Sequence, residues 1–267
     1  MQQEEGGSNY IRFVSHQLKS PVHAIQSLLR TITEGYTGDI PEQTRFTLEK
    51  AISRAGEASE IVGALLDFEQ YSREGGIESK EIEVLSILRN LSKNFALAAA
   101  EKDIVLNTDL PEDRQVFLRG DAHAFEQAIR NLLENAVKYT PEFGTIDLEC
   151  GIESADSRLT VTVSDTGEGI PEEEQESLFT PFFRSRKHKK SIPGTGLGLA
   201  LVKRIVDAHG GTIRAESKEG EGTSFILGFP VIREEEPEGK PEANRRVVII
   251  GGVTSGPKAA ARLRRLS

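Results

Sequence analysis

The stretch Asn131–Thr140 (NLLENAVKYT) carries side chains that suit a ligand made of a cation and phosphate groups. Projected at helical period, this segment and the turn before it have one polar face and one apolar face. The polar face contains Gln127, Asn131, Glu134, Asn135 and Lys138. An amide oxygen is a hard ligand for Mg²⁺, and a lysine ammonium binds phosphate oxygens. An ordinary amphipathic surface helix has the same pattern, so this stretch alone leaves both interpretations open.

Three glycine-rich segments follow the Asn/Lys stretch along the chain. Asp165–Pro171 (DTGEGIP) ends a predicted strand, and its carboxylate could accept a hydrogen bond from an exocyclic amine while its glycines admit a planar base. Gly194–Leu199 (GTGLGL) opens a predicted helix, whose free backbone amides favour phosphate. Gly220–Thr223 predicts a tight turn before the last strand. One glycine cluster is most often only a turn, but three in this order indicate a nucleotide site.

A lid is predicted between the first two glycine segments. Phe179–Arg184 (FTPFFR) supplies apolar residues beside a charged loop, and a basic run continues to Lys190. Arg184 and the basic run could face phosphates. A solvated loop is the competing interpretation for Lys187–Lys190.

The N-terminal quarter predicts two long amphipathic helices joined by the turn Gly35–Pro41 (GYTGDIP). The first apolar heptad contains Ile11, Val14, Leu18, Ile25, Leu28 and Ile32; the second contains Leu48, Ala51, Ala55, Ala58, Val62 and Leu65. Two antiparallel helices bury too little apolar surface by themselves, so a homodimer forming a four-helix bundle is expected.

His16 lies at an outward position of the first heptad, with Ser20 and His23 on nearly the same face. Pro21 removes a helix hydrogen bond and is expected to kink the helix just after His16. A solvated histidine is the simpler interpretation. An accessible imidazole with a free ring nitrogen is also what a phosphate-accepting nucleophile requires.

Length, charge and cysteine content limit the classes of protein to which the chain can belong. The 267 residues suffice for two ordinary domains, and the net charge of −9 argues against a general nucleic-acid binder. The single cysteine, Cys150, excludes an internal disulfide and suits a reducing compartment. No apolar run approaches the roughly 20 residues of a membrane span, so a cytoplasmic chain without membrane contact is expected.

Gly75–Gly76 predicts the boundary between the two domains. The second domain reads as mixed helices and mostly antiparallel strands, which together predict an α/β two-layer sandwich. Its predicted helices are Glu83–Ala100, Asp121–Tyr139 and Leu197–Ala208, and its predicted strands are Ile104–Leu106, Val116–Leu118, Ile146–Ile152, Leu159–Val163, Thr212–Glu216 and Ser224–Phe229. The predicted domains are therefore 1–76 for the hairpin and 77–232 for the sandwich.

These segments together resemble the catalytic core of sensor histidine kinases. His16–Pro21 (HQLKSP) resembles the family's H box, and Asn131–Tyr139 its N box. Asp165–Gly169, Phe179–Phe183 and Gly194–Leu199 are similar to its G1, F and G2 boxes. The resemblance covers roughly residues 8–232 in the family's order, and implies a phosphotransfer hairpin followed by a Bergerat-fold ATPase domain.

The resemblance implies a role for each matching residue. His16 is the phosphoacceptor, ATP and Mg²⁺ are the ligands, and a response-regulator receiver domain is the partner. Asn135 ligates Mg²⁺, Asn131 and Lys138 contact phosphates, Tyr139 packs beside the nucleotide, and Asp165 binds the adenine amine. The rest of the implied pocket is Gly167, Gly169, Arg184, Gly194, Thr195, Gly196, Leu197, Gly198 and Thr223.

Two residues beside His16 depart from the family pattern. Gln17 replaces the usual acidic residue, proposed in the family as a general base, and a neutral amide cannot take a proton. Ser20 stands where many members carry Thr or Asn, which act in dephosphorylating the regulator. Gln17 therefore favours one alternative: a nucleotide-binding scaffold or regulator phosphatase with weak kinase activity. Gyrase, mismatch-repair and heat-shock ATPases are a further alternative, disfavoured by the histidine-bearing hairpin.

The C-terminal residues predict a separate unit. Residues 233–245 are acidic and contain proline, which is typical of a linker. Residues 246–267 read as a β-branched strand, a Gly251-Gly252 turn and a basic helix. This stretch resembles the start of FAD-dependent pyridine nucleotide–disulfide reductases, although Val253 occupies the middle glycine of their pattern. One β–α step forms no dinucleotide site by itself, so it is interpreted as the start of a fused or truncated reductase domain.

Overall fold

The structure is a computed structural model that describes residues 21–71, 79–112, 114–153, 157–185, 187 and 194–235. His16, Gln17, Ser20, the Gly75–Gly76 boundary and the tail 246–267 lie outside these residues. Within the described residues, no helix combines the length and the apolar character needed to cross a bilayer.

A helical hairpin opens the described part of the chain. Helix α1 covers residues 21–33, a turn follows, and α2 runs over Glu42–Tyr71. The Arg45 guanidinium donates to the Thr33 carbonyl oxygen at the end of α1, which closes the predicted turn. The heptad residues Leu48, Ala51, Ala55, Ala58, Val62 and Leu65 of α2 are all half-buried. Ile25 and Leu28 of the first heptad are instead 52% and 65% exposed in the single chain.

The second domain is built from three long helices and a five-stranded sheet. The helices are α3 (Val84–Ala100), α4 (Ala122–Tyr139) and α6 (Gly198–Ala208), and α5 is a short turn of helix at Glu172–Gln175. The large sheet has the order β2-β4-β5-β7-β6, formed by β2 (Val105–Asp109), β4 (Thr145–Glu153), β5 (Arg158–Asp165), β6 (Thr212–Lys218) and β7 (Gly222–Pro230). Only the β2–β4 pair is parallel.

Strand alternation explains the two layers. On β5, Leu159, Val161 and Val163 are buried, whereas the intervening Thr160 and Thr162 are half-buried on the other face. The buried face meets the apolar sides of α3, α4 and α6, including Leu88, Leu132 and Ile205. Successive side chains on a strand point to opposite faces, so one face of the sheet carries the core. The predicted two-layer sandwich is confirmed.

A second, three-stranded sheet has the order β1-β3-β8. Its strands are β1 (Lys80–Glu83), β3 (Gln115–Gly120) and β8 (Arg233–Glu235), all antiparallel. The sequence interpretation contained neither β1 nor β8, and it placed Arg233–Glu235 in the acidic linker. That assignment was wrong for these three residues, since backbone pairing with β3 does not depend on apolar side chains.

Candidate functional site

Helix α4 is held in place by its apolar side and by its caps. The side chains of Phe125, Ile129 and Leu132 are fully buried in the core. The Asp121 carboxylate accepts the backbone N–H groups of His123 and Ala124 at 2.9 and 3.0 Å, as expected of an N-cap. The helix begins and ends where the sequence predicted. Its buried side fixes its orientation, so the polar residues lie together on the opposite face.

A buried histidine joins the start of α4 to the end of α6. His209 is 5% exposed, and its Nε2 accepts the backbone N–H of Asp121 at 3.1 Å. Its Nδ1 lies 2.8 Å from the Ile205 carbonyl oxygen, so this nitrogen is the one that donates. The ring packs edge-on against Phe125 and Phe229. Both helices are therefore fixed relative to each other by a neutral imidazole.

The polar face of α4 meets the glycine segment that opens α6. A methyl group on Gly194 would lie 2.8 Å from Lys138 Nζ, and one on Gly198 would lie 3.2 Å from Asn131 Oδ1. The Asn131 amide also donates to the Gln127 carbonyl oxygen at 3.0 Å, which fixes the side chain. Lys138 and Asn131 thus lie beside the backbone that was predicted to hold phosphate.

The glycine segment Gly194–Leu199 also contacts Phe182 and Phe183 of the predicted lid. Gly196 has a φ of 73°, and a Cβ there would lie 2.7 Å from the Phe183 carbonyl oxygen. Such a φ favours glycine, and the close backbone leaves no room for a side chain. The Leu197 N–H is accepted by Thr195 Oγ1 at 3.1 Å, and Leu197 itself is fully buried. The segment is therefore anchored on both sides before α6 begins.

Asp165 ends β5 in a sheltered position at the other end of the site. Its Oδ1 accepts the Gly167 N–H at 2.8 Å, and the Thr223 N–H also stabilises the carboxylate. Burial nevertheless raises the pKa of Asp165 to about 6, against those two backbone hydrogen bonds, which lower it. A Cβ on Gly167 would lie 2.7 Å from the Tyr139 carbonyl oxygen, so this loop packs against the end of α4.

Hydroxyl groups support the turn behind Asp165. Thr223 is 6% exposed and pairs with Asp165 across β5 and β7. Its hydroxyl lies 2.8 Å from Ser217 Oγ, which accepts the Ile170 N–H at 2.8 Å. Ile170, Asp165 and Thr223 are thus held together by β-sheet pairing and side-chain hydrogen bonds.

Two cationic side chains, Arg184 and Lys187, lie at the end of the predicted lid segment and in the basic run that follows it. Burial raises the pKa of Tyr139, and the nearby Arg184 guanidinium partly opposes that shift. Lys187 Nζ lies 2.7 Å from Glu168 Oε2, so this exposed lysine forms a surface ion pair with the first glycine loop. Sequence reasoning missed this pair, because nothing in the spacing of two surface charges indicates a contact.

The arrangement defines a class of protein. Residues 120–233 match the family described as histidine kinase-, DNA gyrase B-, and HSP90-like ATPase, and residues 8–74 match the His Kinase A (phospho-acceptor) domain. The second match separates this chain from the gyrase and heat-shock branches. The chain belongs to the sensor histidine kinase family.

The chain is similar to individual curated proteins and solved structures. The sensor-like histidine kinase SenX3 of Mycobacterium tuberculosis is 33% identical over 236 residues, which is 86% of this chain and 55% of the relative. The structure resembles full-length ShkA with a TM-score of 0.67 at 22% identity, over 84% of this chain and 46% of that one. It also resembles the catalytic domain of histidine kinase ThkA, with a TM-score of 0.50 at 29% identity, over 57% of this chain and 95% of that one. The chain spans about half the length of SenX3.

Proposed function

We propose that this chain is an ATP-dependent protein-histidine kinase core. ATP binds between α4 and the glycine segment of α6, and His16 receives the γ-phosphoryl group. The observation that carries the proposal is the approach of Lys138 and Asn131 to Gly194 and Gly198, which places an ammonium and an amide beside a helix N-terminus.

The residues divide the binding of ATP between two ends of the site. The Asp165 carboxylate accepts a hydrogen bond from the adenine amine, and the Gly167 N–H, in a loop packed against the end of α4, holds that carboxylate in place. Lys138 and the first backbone amides of α6 bind the phosphates. Arg184, on the lid side, adds charge near Tyr139. Phosphoryl transfer depends mainly on such alignment and charge.

Asn135 fits a magnesium ligand. It lies one turn after Asn131 on the polar face of α4, half-buried, and its carboxamide makes no hydrogen bond within the described part of the chain. Its oxygen is therefore available as a hard ligand. When bound, Mg²⁺ neutralises charge on the phosphate oxygens.

Transfer forms a bond between an imidazole nitrogen of His16 and the γ-phosphorus, while the bond from that phosphorus to the ADP oxygen breaks. The attacking nitrogen supplies a lone pair, so the step itself does not require a base. Gln17 can accept a hydrogen bond and hold the ring in one tautomer, but cannot take the remaining ring proton, which passes to solvent. A slow step is therefore expected.

Two partners follow from the proposal. Ile25 and Leu28 are large apolar side chains left exposed on one helix face, which a second hairpin would cover in a four-helix bundle. The phosphoryl group then passes to an aspartate of a response-regulator receiver domain.

The test is incubation with γ-labelled ATP. We expect label on the wild-type chain that is lost in acid and survives alkali, none on His16→Ala, and none on Asn135→Ala, which removes the magnesium ligand. Dimerisation of both variants, measured by light scattering, is the control for folding. Labelling of His16→Ala, or full activity of Asn135→Ala, would contradict the proposal.

A further inference from the structure

The C-terminal end of α2 is hydrogen-bonded to the first turns of α4. Gln127 Nε2 donates to Asp67 Oδ2 at 2.6 Å, and the Tyr71 hydroxyl lies 3.5 Å from His123 Nδ1. Tyr71 is 5% exposed, whereas most of α2 is half-buried or exposed. The hairpin therefore contacts the helix that carries Asn131.

The same end of α2 also contacts α6. The Arg204 guanidinium carbon lies 5.5 Å from the centre of the Phe68 ring, within range of a cation–π interaction. We call the whole contact the α2 dock, formed by Asp67, Phe68, Tyr71, His123, Gln127 and Arg204. It joins the hairpin to both helices that form the phosphate end of the site.

The dock and the phosphate end share one face of α4. Gln127 belongs to the polar face that continues through Asn131 to Asn135. A helix rises about 1.5 Å per residue, so those two side chains start roughly 6 and 12 Å further along. On α6, Arg204 lies six residues after Gly198, or roughly 9 Å. The dock thus lies on the same face of α4 as Asn131 and Asn135, roughly 6 and 12 Å from them along the helix.

The contact is also small and partly exposed to solvent. Gln127 Oε1 is buried, and no described residue is its hydrogen-bond partner. His123 and Arg204 are exposed residues, so their interactions are screened by water. A small contact with an unsatisfied acceptor is weakly held, unlike the apolar core of either domain.

We propose that the α2 dock is the arrangement from which phosphoryl transfer takes place, with Asp67 and Gln127 as its positioning residues. They hold the phosphate end of the site against the hairpin that carries His16. This inference rests on the proposed kinase function. Neither side chain belongs to the set that binds ATP, so loss of the contact slows transfer and leaves nucleotide affinity unchanged.

The expected effect follows from the sensitivity of phosphoryl transfer to alignment. A misplacement of about 1 Å can cost up to roughly a hundredfold in rate, and we expect about tenfold for Asp67→Ala and for Gln127→Ala. Both changes break one contact, so the double variant is expected to be no slower than either single one. Asp67→Asn keeps an oxygen that accepts from Gln127 Nε2 and is expected to recover most of the rate.

The measurement is the single-turnover rate of His16 phosphorylation by γ-labelled ATP in the full 267-residue chain, beside the ATP dissociation constant from calorimetry. Glu49→Ala is the matched control, because Glu49 is an exposed carboxylate on α2 far from the dock. Circular dichroism melting verifies that each variant is folded, and Asp67→Asn tests the contact even if an alanine variant unfolds.

The outcomes separate the two proposals. Slower transfer with unchanged ATP affinity in Asp67→Ala and Gln127→Ala supports the dock. Equal or faster transfer in these variants, while the wild type is phosphorylated normally, overturns it, and so does a change confined to ATP affinity. A wild-type chain that takes no label from ATP overturns the kinase proposal itself.

Discussion

At the scale of single residues, Asp165, the proposed ligand of the adenine amine, has a shifted pKa. Burial raises its pKa to about 6, while the Gly167 and Thr223 amides favour the carboxylate. An aspartate in an unfolded chain titrates near 3.9. The carboxylate is therefore charged at neutral pH, yet loses its charge under mildly acidic conditions.

The first prediction at this scale concerns nucleotide affinity. Because the adenine amine requires a hydrogen-bond acceptor, ATP affinity is expected to fall as pH drops below about 6, by up to tenfold per pH unit. Titration calorimetry with ATP between pH 5 and 8 measures this, with ionic strength fixed. Asp165→Asn, which does not titrate, should bind weakly with much less pH dependence; an equally steep fall would assign the effect to another group.

The same group gives a second prediction, on stability. The folded pKa lies above the unfolded pKa, so the folded chain binds the proton more tightly. The stability that Asp165 contributes is present below about pH 4 and is lost as pH rises through about 6. The melting temperature of the wild type, relative to that of Asp165→Asn, should therefore fall as pH rises from about 4 to about 6. A constant difference across this range would contradict the assigned pKa.

At the scale of elements, the best-predicted part was α4. A carboxylate N-cap, a regular apolar face and the end at Tyr139 were all readable from the residues, because local periodicity and capping determine them. Strand β1 was missed because it has only four residues, three of them charged. The Lys187–Glu168 pair and the α2 dock were missed because both join residues far apart in the chain.

The turn between β6 and β7 gives a prediction with its own control. Gly220 and Gly222 both have positive φ, 80° and 112°, so alanine is strained at either position. A Cβ on Gly220 meets nothing within 4 Å, whereas one on Gly222 would lie 2.0 Å from the Asp165 carbonyl oxygen. Gly220→Ala should cost about 1–2 kcal/mol in urea unfolding, and Gly222→Ala distinctly more, with loss of ATP binding. Equal losses in the free energy of unfolding would show that β7 can shift to accommodate the Cβ at residue 222.

At the scale of the whole molecule, β8 extends the folded second domain past the boundary predicted at residue 232. Arg233–Glu235 pairs with β3, and the Ile232 N–H bonds to the Phe117 carbonyl oxygen. The family match likewise extends to residue 233. The strand was unpredictable from its composition, since glutamate is depleted in strands and typical of linkers.

Two truncations test this boundary. Removing residues 237–267 is expected to leave the melting temperature, dimerisation and ATP affinity unchanged, because every strand pair in the described residues is kept. Removing 233–267 takes away β8 and exposes the edge of β3, so the melting temperature should fall by several degrees. Calorimetric scans of both truncated chains measure this. Identical melting temperatures would mean that β8 does not contribute to thermal stability.

His209 has a further use that follows from its two hydrogen bonds. One ring nitrogen carries a proton and the other receives one, so the two differ in nuclear magnetic shielding. The receiving nitrogen touches the Asp121 amide at the start of α4, and the ring is attached to the end of α6. With only five histidines in the chain, ¹⁵N-labelled imidazoles give a sparse spectrum. The ¹⁵N shifts of His209 should therefore report on the separation of α4 and α6 without any attached dye.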